Sequence, residues 1–165
     1  MPSATQPEPA IEYRKDEFTL STDRRRFDLG VIHSFLTESY WAKGISREIV
    51  ARSMENSLCF GIYTRDRQVG FARVISDFAT YAYIADVFVL DAFRGRGLGK
   101  WLMESIMRHP RLQGLRRWSI VTSDAHGLYA QFGFKALKQP ENYMERHDEE
   151  IYRPPDSRQQ QGMRR

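Results

Sequence analysis

The sequence predicts a mixed α/β sandwich in which helices cover both faces of a central sheet. Helical and strand-like segments follow one another in the order β-α-α-β-β-β-α-β-α-β. Residues 58–63 and 69–76 are two strand-like runs separated by a short polar turn, as in a β-hairpin. Residues 80–90 are nearly all apolar or aromatic, which is typical of a strand buried on both faces of a sheet.

The first half of the chain contributes a short strand and two helices before the hairpin. The strand is predicted at 18–21. Residues 28–39 are predicted to be helical, because apolar side chains recur there at i, i+3 and i+4 spacing. Gly44 lies in the break after this helix, and Ser46 is the predicted N-cap of a second helix that continues to Glu55.

The second half begins with the long apolar strand at 80–90 and a loop rich in glycine. A helix is predicted at 97–108, where Leu98, Leu102 and Ile106 recur every four residues. The remaining predicted elements are a strand at 118–122, a short helix at 126–131 that Gly133 ends, and strands at 134–137 and 142–146.

The composition is that of a globular protein, with 41% hydrophobic and 28% charged residues. The single cysteine, Cys59, excludes an internal disulfide and argues against a Cys/His zinc site, so we predict no metal. No apolar run approaches the roughly 20 residues that cross a bilayer. The N-terminus lacks the features of a secretory signal. We therefore expect a cytoplasmic protein without a membrane partner.

The chain is predicted to be one domain with two tails. Residues 1–12 are proline-rich without periodicity and are expected to be a disordered tail. Residues 13–152 form the predicted domain, and residues 153–165 form a disordered basic tail. In that basic tail, four arginines against one aspartate give +3 of the net charge of +4. Charge confined to a tail is typical of a solvated segment, so no nucleic-acid partner is expected.

Segment 94–100 contains three glycines between a strand and a helix. Glycines let backbone N–H groups approach an anion closely, and the positive end of the helix adds to the attraction. The sequence therefore predicts a cradle for a phosphate or pyrophosphate, reinforced by Arg94, Arg96 and Lys100. The Rossmann pattern G-x-G-x-x-G fails at Lys100, and the Walker pattern fails at Arg94 and Trp101.

Two motifs connect this loop with a known family. Arg94, Gly97 and Gly99 fill the pattern Q/R-x-x-G-x-G/A. Residues 125–134, Ala-His-Gly-Leu-Tyr-Ala-Gln-Phe-Gly-Phe, are similar to the later motif A-x-x-L-Y-x-x-x-G-F. With both motifs in order, residues 18–146 resemble the GNAT family of acetyl-CoA-dependent N-acetyltransferases. The resemblance implies a mostly antiparallel sheet that contains one splayed pair of parallel strands.

The resemblance also implies where acetyl-CoA binds. Its pyrophosphate would lie on the glycine loop, and its pantetheine would lie along the end of the preceding strand. The amide of Val89 would bond the pantetheine and could serve as an oxyanion donor. Tyr129 matches the family tyrosine near the sulfur, either as general acid for the departing thiolate or as a packing residue only. The implied cofactor-binding residues are Phe88, Val89, Leu90, Arg94, Gly95, Arg96, Gly97, Leu98, Gly99 and Lys100.

Fewer residues match the family at the site where the acceptor amine would bind. Ala85 stands where many relatives carry a glutamate base, and Asp86 is the only carboxylate of its strand. Because the segment resembles the polyamine acetyltransferase branch, Asp86 is expected to anchor the amine or to act as a base through water, with a structural carboxylate as the alternative. Tyr40 and Trp41 are expected to line an apolar or cationic acceptor, or else to cap the core of the helix pair. His126 is an open candidate for proton transfer.

The resulting prediction is transfer of the acetyl group of acetyl-CoA to a primary amine by direct attack in a ternary complex. The acceptor is a small-molecule or peptide amine. Cys59 offers no nucleophile, because no histidine or acid accompanies it in the sequence. The alternative is a non-catalytic acyl-CoA-binding regulatory domain, which the loss of the acid at Ala85 keeps open. Dimerisation is common in such folds, so a homodimer is a further expectation.

Overall fold

Six strands form one sheet in the computed structural model, which describes residues 9–154. The strands lie in the sheet in chain order. Every neighbouring pair is antiparallel except the last, which is parallel. This is the mostly antiparallel sheet with one parallel pair that the resemblance implied. The strands are β1 (Glu12–Lys15), β2 (Phe18–Ser21), β3 (Leu58–Thr64), β4 (Arg67–Ser76), β5 (Tyr81–Val89) and β6 (Arg117–Ile120).

Local side chains fix the starts of the first two helices. The Asp28 carboxylate accepts a hydrogen bond from the backbone N–H of Val31 at 3.1 Å. The Ser46 hydroxyl accepts one from the N–H of Ile49 at 3.3 Å, as the N-cap prediction required. In the described part of the chain the α-helices are α1 (Leu29–Glu38), α2 (Arg47–Glu55), α3 (Leu98–Arg108) and α4 (His126–Ala130).

Two hydrophobic clusters lie on opposite faces of the sheet. Cys59 belongs to the cluster under α1 and α2, whereas its neighbour Phe60 belongs to the cluster under α3. Phe71 and Ala72 divide in the same way, because successive side chains of a strand point to opposite faces. Helices therefore cover both faces of the sheet, as predicted.

The strand β5 contains a bulge at Asp86. Ile84 and Val87 both pack into the cluster under α3 although they are three residues apart, which requires one extra residue between them. The register against β4 shifts at this point, and Asp86 has a φ of 55°, in the left-handed region. The parallel pairing with β6 ends at Ile84, opposite Ile120. In the described structure, the end of β5 beyond the bulge therefore has no strand partner on that side.

Burial along β5 differs from the prediction of a strand buried on both faces. Only Ala82, Ile84 and Phe88 are buried, and the other residues of the strand are partly or fully exposed. Beyond Ile84, the open side next to β6 leaves the partly exposed residues 85–87 and 89 accessible.

One strand was not predicted, and two predicted strands are absent. The strand β1 lies at the edge of the sheet, and its sequence Glu-Tyr-Arg-Lys lacks the apolar alternation that would have predicted it. Residues 134–137 and 142–146 form no strands. The segment 135–149 is exposed throughout, and Pro140 begins a short 3-10 helix there, so neither run has a buried face to pair. Residues 1–8 and 155–165, which make up most of the predicted tails, lie outside the described residues.

A substitution in β3 tests the packing of this sheet. A Cβ at Gly61 would lie 2.7 Å from Cζ of Tyr63, whose side chain is buried and cannot move aside. We expect Gly61→Ala to destabilise the protein by roughly 1–3 kcal/mol through overpacking, measured by chemical denaturation. Gly127→Ala is the control, because a Cβ there meets nothing within 4 Å. Equal stability of the two variants would contradict the packing described for Gly61.

Candidate active site

The glycine loop connects β5 to α3. Gly95 and Gly97 have φ values of 77° and 73°, which glycine adopts without strain. Within residues 9–154, the backbone N–H groups of Leu98, Gly99 and Lys100 meet no hydrogen-bond acceptor, as expected for the first turn of a helix. The loop therefore presents free donors and the positive end of α3 to the outside, an arrangement suited to an anion.

The cations around the loop are partly held by neighbouring acids. Arg94 forms an ion pair with Asp91 at 3.1 Å, and Arg96 forms one with Glu17 at 3.1 Å. The ammonium group of Lys15 lies 3.7 Å from the point where a Cβ on Gly97 would stand. Sequence reasoning missed Lys15, because only the pairing of the unpredicted edge strand β1 brings it to the loop.

Beyond Ile84 the end of β5 has no strand partner on the β6 side in the described structure, and the gap there is called the cleft. The N–H of Leu90 donates to the carbonyl of Val69 at 2.8 Å, on the β4 side. Since successive backbone groups alternate in direction, the N–H of Val89 faces away from β4, toward the side that β6 leaves free. The Phe88 ring instead stacks on Phe35 of α1 at 4.0 Å. Of the residues predicted to line the pantetheine, Val89 thus has a free backbone donor, whereas Phe88 anchors the strand to α1.

Tyr129 lies in α4 with only 6% of its surface exposed. Its ring packs edge-on against Phe134 at 6.1 Å. Burial raises the pKa of Tyr129 to about 12, and Tyr40 and Asp124 add to the rise. The hydroxyl is therefore protonated at neutral pH. In the described structure no hydrogen bond contributes to this rise, so the hydroxyl remains available as a donor.

Asp86 has two partners that sequence reasoning did not identify. Its Oδ2 forms an ion pair with Nε of Arg73 at 2.8 Å, and its Oδ1 accepts a hydrogen bond from the indole N–H of Trp41 at 3.1 Å. Arg73 lies in β4, next to β5 in the sheet. A sequence signal was present, because Arg73 is a charge flanked by apolar residues in its strand, as Asp86 is in the next strand. The roles of anchor or base stay predictions for a carboxylate whose two oxygens already have partners.

Tyr40 and Trp41 lie together in the loop after α1. Their rings meet edge to face at 5.0 Å, and 60% of Tyr40 and 40% of Trp41 remain exposed. The hydroxyl of Tyr40 accepts a hydrogen bond from the N–H of Ser123, just after β6, at 3.3 Å. The aromatic pair therefore contacts β5 through Asp86 and the segment after β6 through Ser123. Three of the predicted site residues, Tyr40, Trp41 and Asp86, are in contact here, and Tyr40 also contributes to the raised pKa of Tyr129.

The candidate His126 and the rejected nucleophile Cys59 take no part in this cluster. His126 is exposed at the first position of α4. Cys59 is buried, and burial raises the pKa of its thiol to about 12, so the thiol is protonated and unreactive at neutral pH.

Comparison with known proteins identifies the family. The family model for the acetyltransferase (GNAT) domain matches residues 55–136, which include the glycine loop and α4. A crystal structure from Xanthomonas campestris pv. campestris, of a protein assigned to the GNAT family, is 51% identical in sequence. It superposes with a TM-score of 0.81 and covers 83% of this chain and 97% of its own. This chain belongs to the GNAT family of acetyltransferases.

More distant proteins are similar to this chain in sequence or in fold. A protein of Gibberella zeae named as a candidate acetyltransferase is 25% identical over 142 residues, which is 72% of this chain and 79% of that protein. The GNAT acetyltransferase of Elizabethkingia anophelis, solved with acetyl-CoA bound, has the same fold with a TM-score of 0.58 at 16% identity, over 79% of this chain and 88% of its own.

Neither a membrane-spanning helix nor a metal-binding group is present in residues 9–154. No helix there is long and apolar enough to span a membrane. No group of three or more His, Cys, Asp or Glu side chains is arranged to hold a metal ion.

Proposed function

We propose that this GNAT protein transfers the acetyl group of acetyl-CoA to a primary amine by direct attack in a ternary complex. The observation that carries the proposal is the cleft beside the end of β5. At one end of the cleft is the glycine loop with free N–H donors. Near its other end, at the bulge, are the aromatic pair and Asp86, with Tyr129 close to Tyr40.

The described residues fit acetyl-CoA. Its pyrophosphate requires several donors and positive charge, which the first turn of α3 supplies together with Arg94, Arg96, Lys100 and Lys15. Its pantetheine would lie along the end of β5, where the pairing with β6 has stopped. Gly97 leaves room for close approach, since the one atom of the described residues near a Cβ built there is Nζ of Lys15, at 3.7 Å.

Separate residues would serve the separate steps of the transfer. The amide of Val89 donates to the thioester carbonyl oxygen as negative charge develops on it. Tyr129, protonated at neutral pH, donates its proton to the sulfur as the C–S bond breaks and the new C–N bond forms. The surplus proton of the amine passes to water, which then also reprotonates the tyrosine. In this scheme Asp86 is a proposed amine anchor or base. The alternative is that its carboxylate only positions Trp41.

A non-catalytic acyl-CoA-binding domain is the second candidate. Ala85 supports it, because many relatives carry a glutamate base at this position. The engagement of Asp86 by Arg73 and Trp41 also supports it, because no free carboxylate then faces the acceptor. The two functions differ in one measurable product, the free CoA thiol.

A thiol-release assay separates the two candidates. Acetyl-CoA is mixed with the protein and with spermidine, L-lysine, kanamycin, phenethylamine or a short peptide with a free N-terminus. We expect at least one amine to raise thiol release well above the rate without amine. Binding of acetyl-CoA without release for any of these amines, or for lysine within a peptide, would support the non-catalytic domain.

The glycine cradle is tested with two glycines in the same backbone conformation. Gly97 and Gly114 both have φ of 73°, so alanine strains the two sites alike, by about 1 kcal/mol. Only Gly97 lies in the loop. Acetyl-CoA should raise the melting temperature of the parent protein and of Gly114→Ala, because it binds only the folded state. Gly97→Ala should lose most of this shift, and an equal shift in both variants would refute the cradle.

The acid role of Tyr129 is tested by removing its hydroxyl. Tyr129→Phe keeps the ring in the core and should lower kcat by roughly 10²-fold, with little change in the affinity for acetyl-CoA. Tyr143→Phe is the control, since Tyr143 is a largely exposed residue outside the cluster. A kcat for Tyr129→Phe equal to that of the control would leave Tyr129 as a packing residue only.

A further inference from the structure

We propose that Asp86 and Arg73 are positioning residues, which together hold Trp41, and through it Tyr40, across the acceptor side of the cleft. The inference rests on the proposed acetyl transfer, because that reaction supplies the amine that the aromatic surface would bind. It gives the carboxylate a role different from amine anchor or base.

The ion pair is fixed at both ends. Nε of Arg73 donates to Oδ2 of Asp86, while Nη1 of Arg73 donates to the hydroxyl of Ser57 at 3.2 Å. That hydroxyl in turn donates to the backbone carbonyl of Ser53 in α2 at 2.8 Å. Both charged side chains are mostly buried, with 15% of Arg73 and 11% of Asp86 exposed. The guanidinium therefore fixes one carboxylate oxygen and leaves the other for Trp41.

The backbone of Asp86 adopts an uncommon conformation, and in this conformation its carboxylate reaches Trp41. A φ of 55° is uncommon for any residue other than glycine, and it persists only where the surroundings determine it. The extra residue of the bulge lets Val87 return to the α3 side while Asp86 meets Trp41, from the loop after α1. Without the bulge, the alternation of the strand would turn one of these side chains to the wrong face.

The aromatic pair is held on both sides of the cleft. The indole N–H of Trp41 is bonded to β5 through Asp86, and the Tyr40 hydroxyl is bonded to the segment after β6 through Ser123. Behind them, Phe35 contacts Trp41 at 6.2 Å and stacks on Phe88. The exposed part of both rings faces away from this packing, so an acceptor would meet a rigid aromatic surface.

The positioning role predicts a change in acceptor binding rather than in chemistry. Trp41→Phe removes the indole N–H and keeps an aromatic ring. Asp86→Asn leaves one carbonyl oxygen for two donors, and the charged guanidinium of Arg73 forms the stronger hydrogen bond, so Trp41 loses its acceptor. Each variant should raise the KM of the fastest amine of the panel about five- to tenfold, the effect of one lost hydrogen bond. The value of kcat and the KM for acetyl-CoA should stay within about twofold of the parent.

The double variant and a structural control complete the kinetic test. Because Asp86 acts through Trp41, the double variant should be no worse than the poorer single one. Asp77→Asn disturbs a carboxylate that only accepts bonds within the turn at 77–81, and should lower stability without changing either KM. A 10²-fold loss of kcat in Asp86→Asn with normal kinetics in Trp41→Phe would assign Asp86 as the base instead, and would overturn the positioning role.

A second measurement does not depend on activity. The chain has three tryptophans, so a ¹H–¹⁵N spectrum shows three indole signals, and the one missing in Trp41→Phe is that of Trp41. In Asp86→Asn and Arg73→Lys this signal should move and exchange faster with water, while those of Trp101 and Trp118 stay. An unmoved Trp41 signal would refute the inference. If no amine is acetylated, the proposed function fails, and this spectrum still decides whether Asp86 holds Trp41.

Discussion

The bulge at Asp86 bends β5 at the point where its pairing with β6 stops. A bulge inserts one residue, tilts its strand and increases the local twist, so the neighbouring parallel strand cannot follow. The last pair is Ile84 with Ile120, immediately before the bulge. Beyond it, the backbone groups of β5 on that side have no strand partner in the described structure. The cleft, the free amide of Val89 and the direction of Asp86 all depend on this single inserted residue.

Charge within the sheet is arranged around the same point. Two opposite charges, Arg73 and Asp86, lie between apolar neighbours on adjacent strands, and each compensates the cost of burying the other. One carboxylate oxygen is left to bond Trp41. An aromatic side chain is thus bonded to a compensated ion pair beside the bulge, whereas the sequence predicted a lone acidic group.

The sequence predicted the features that depend on neighbouring residues. The glycine loop could be predicted because its glycines, its cations and the start of α3 are contiguous, and Tyr129 could be matched because its motif is short and local. Features that depend on contacts between distant segments were missed. Lys15 belongs to an edge strand with too few apolar residues to be recognised. Arg73 meets its partner Asp86 only when β4 pairs with β5. Phe134 was predicted to begin a strand, but it packs against the Tyr129 ring.

The single thiol of the chain has a consequence for how the protein would behave beside free CoA. Thiol–disulfide exchange requires a thiolate that a reagent can reach. Cys59 is 5% exposed and its pKa is raised to about 12, so it meets neither condition while the protein is folded. Oxidised CoA would therefore form no mixed disulfide with the folded chain, and mild oxidants would leave it unmodified at this residue. A colorimetric thiol reagent added to the folded protein would register only the thiol of CoA.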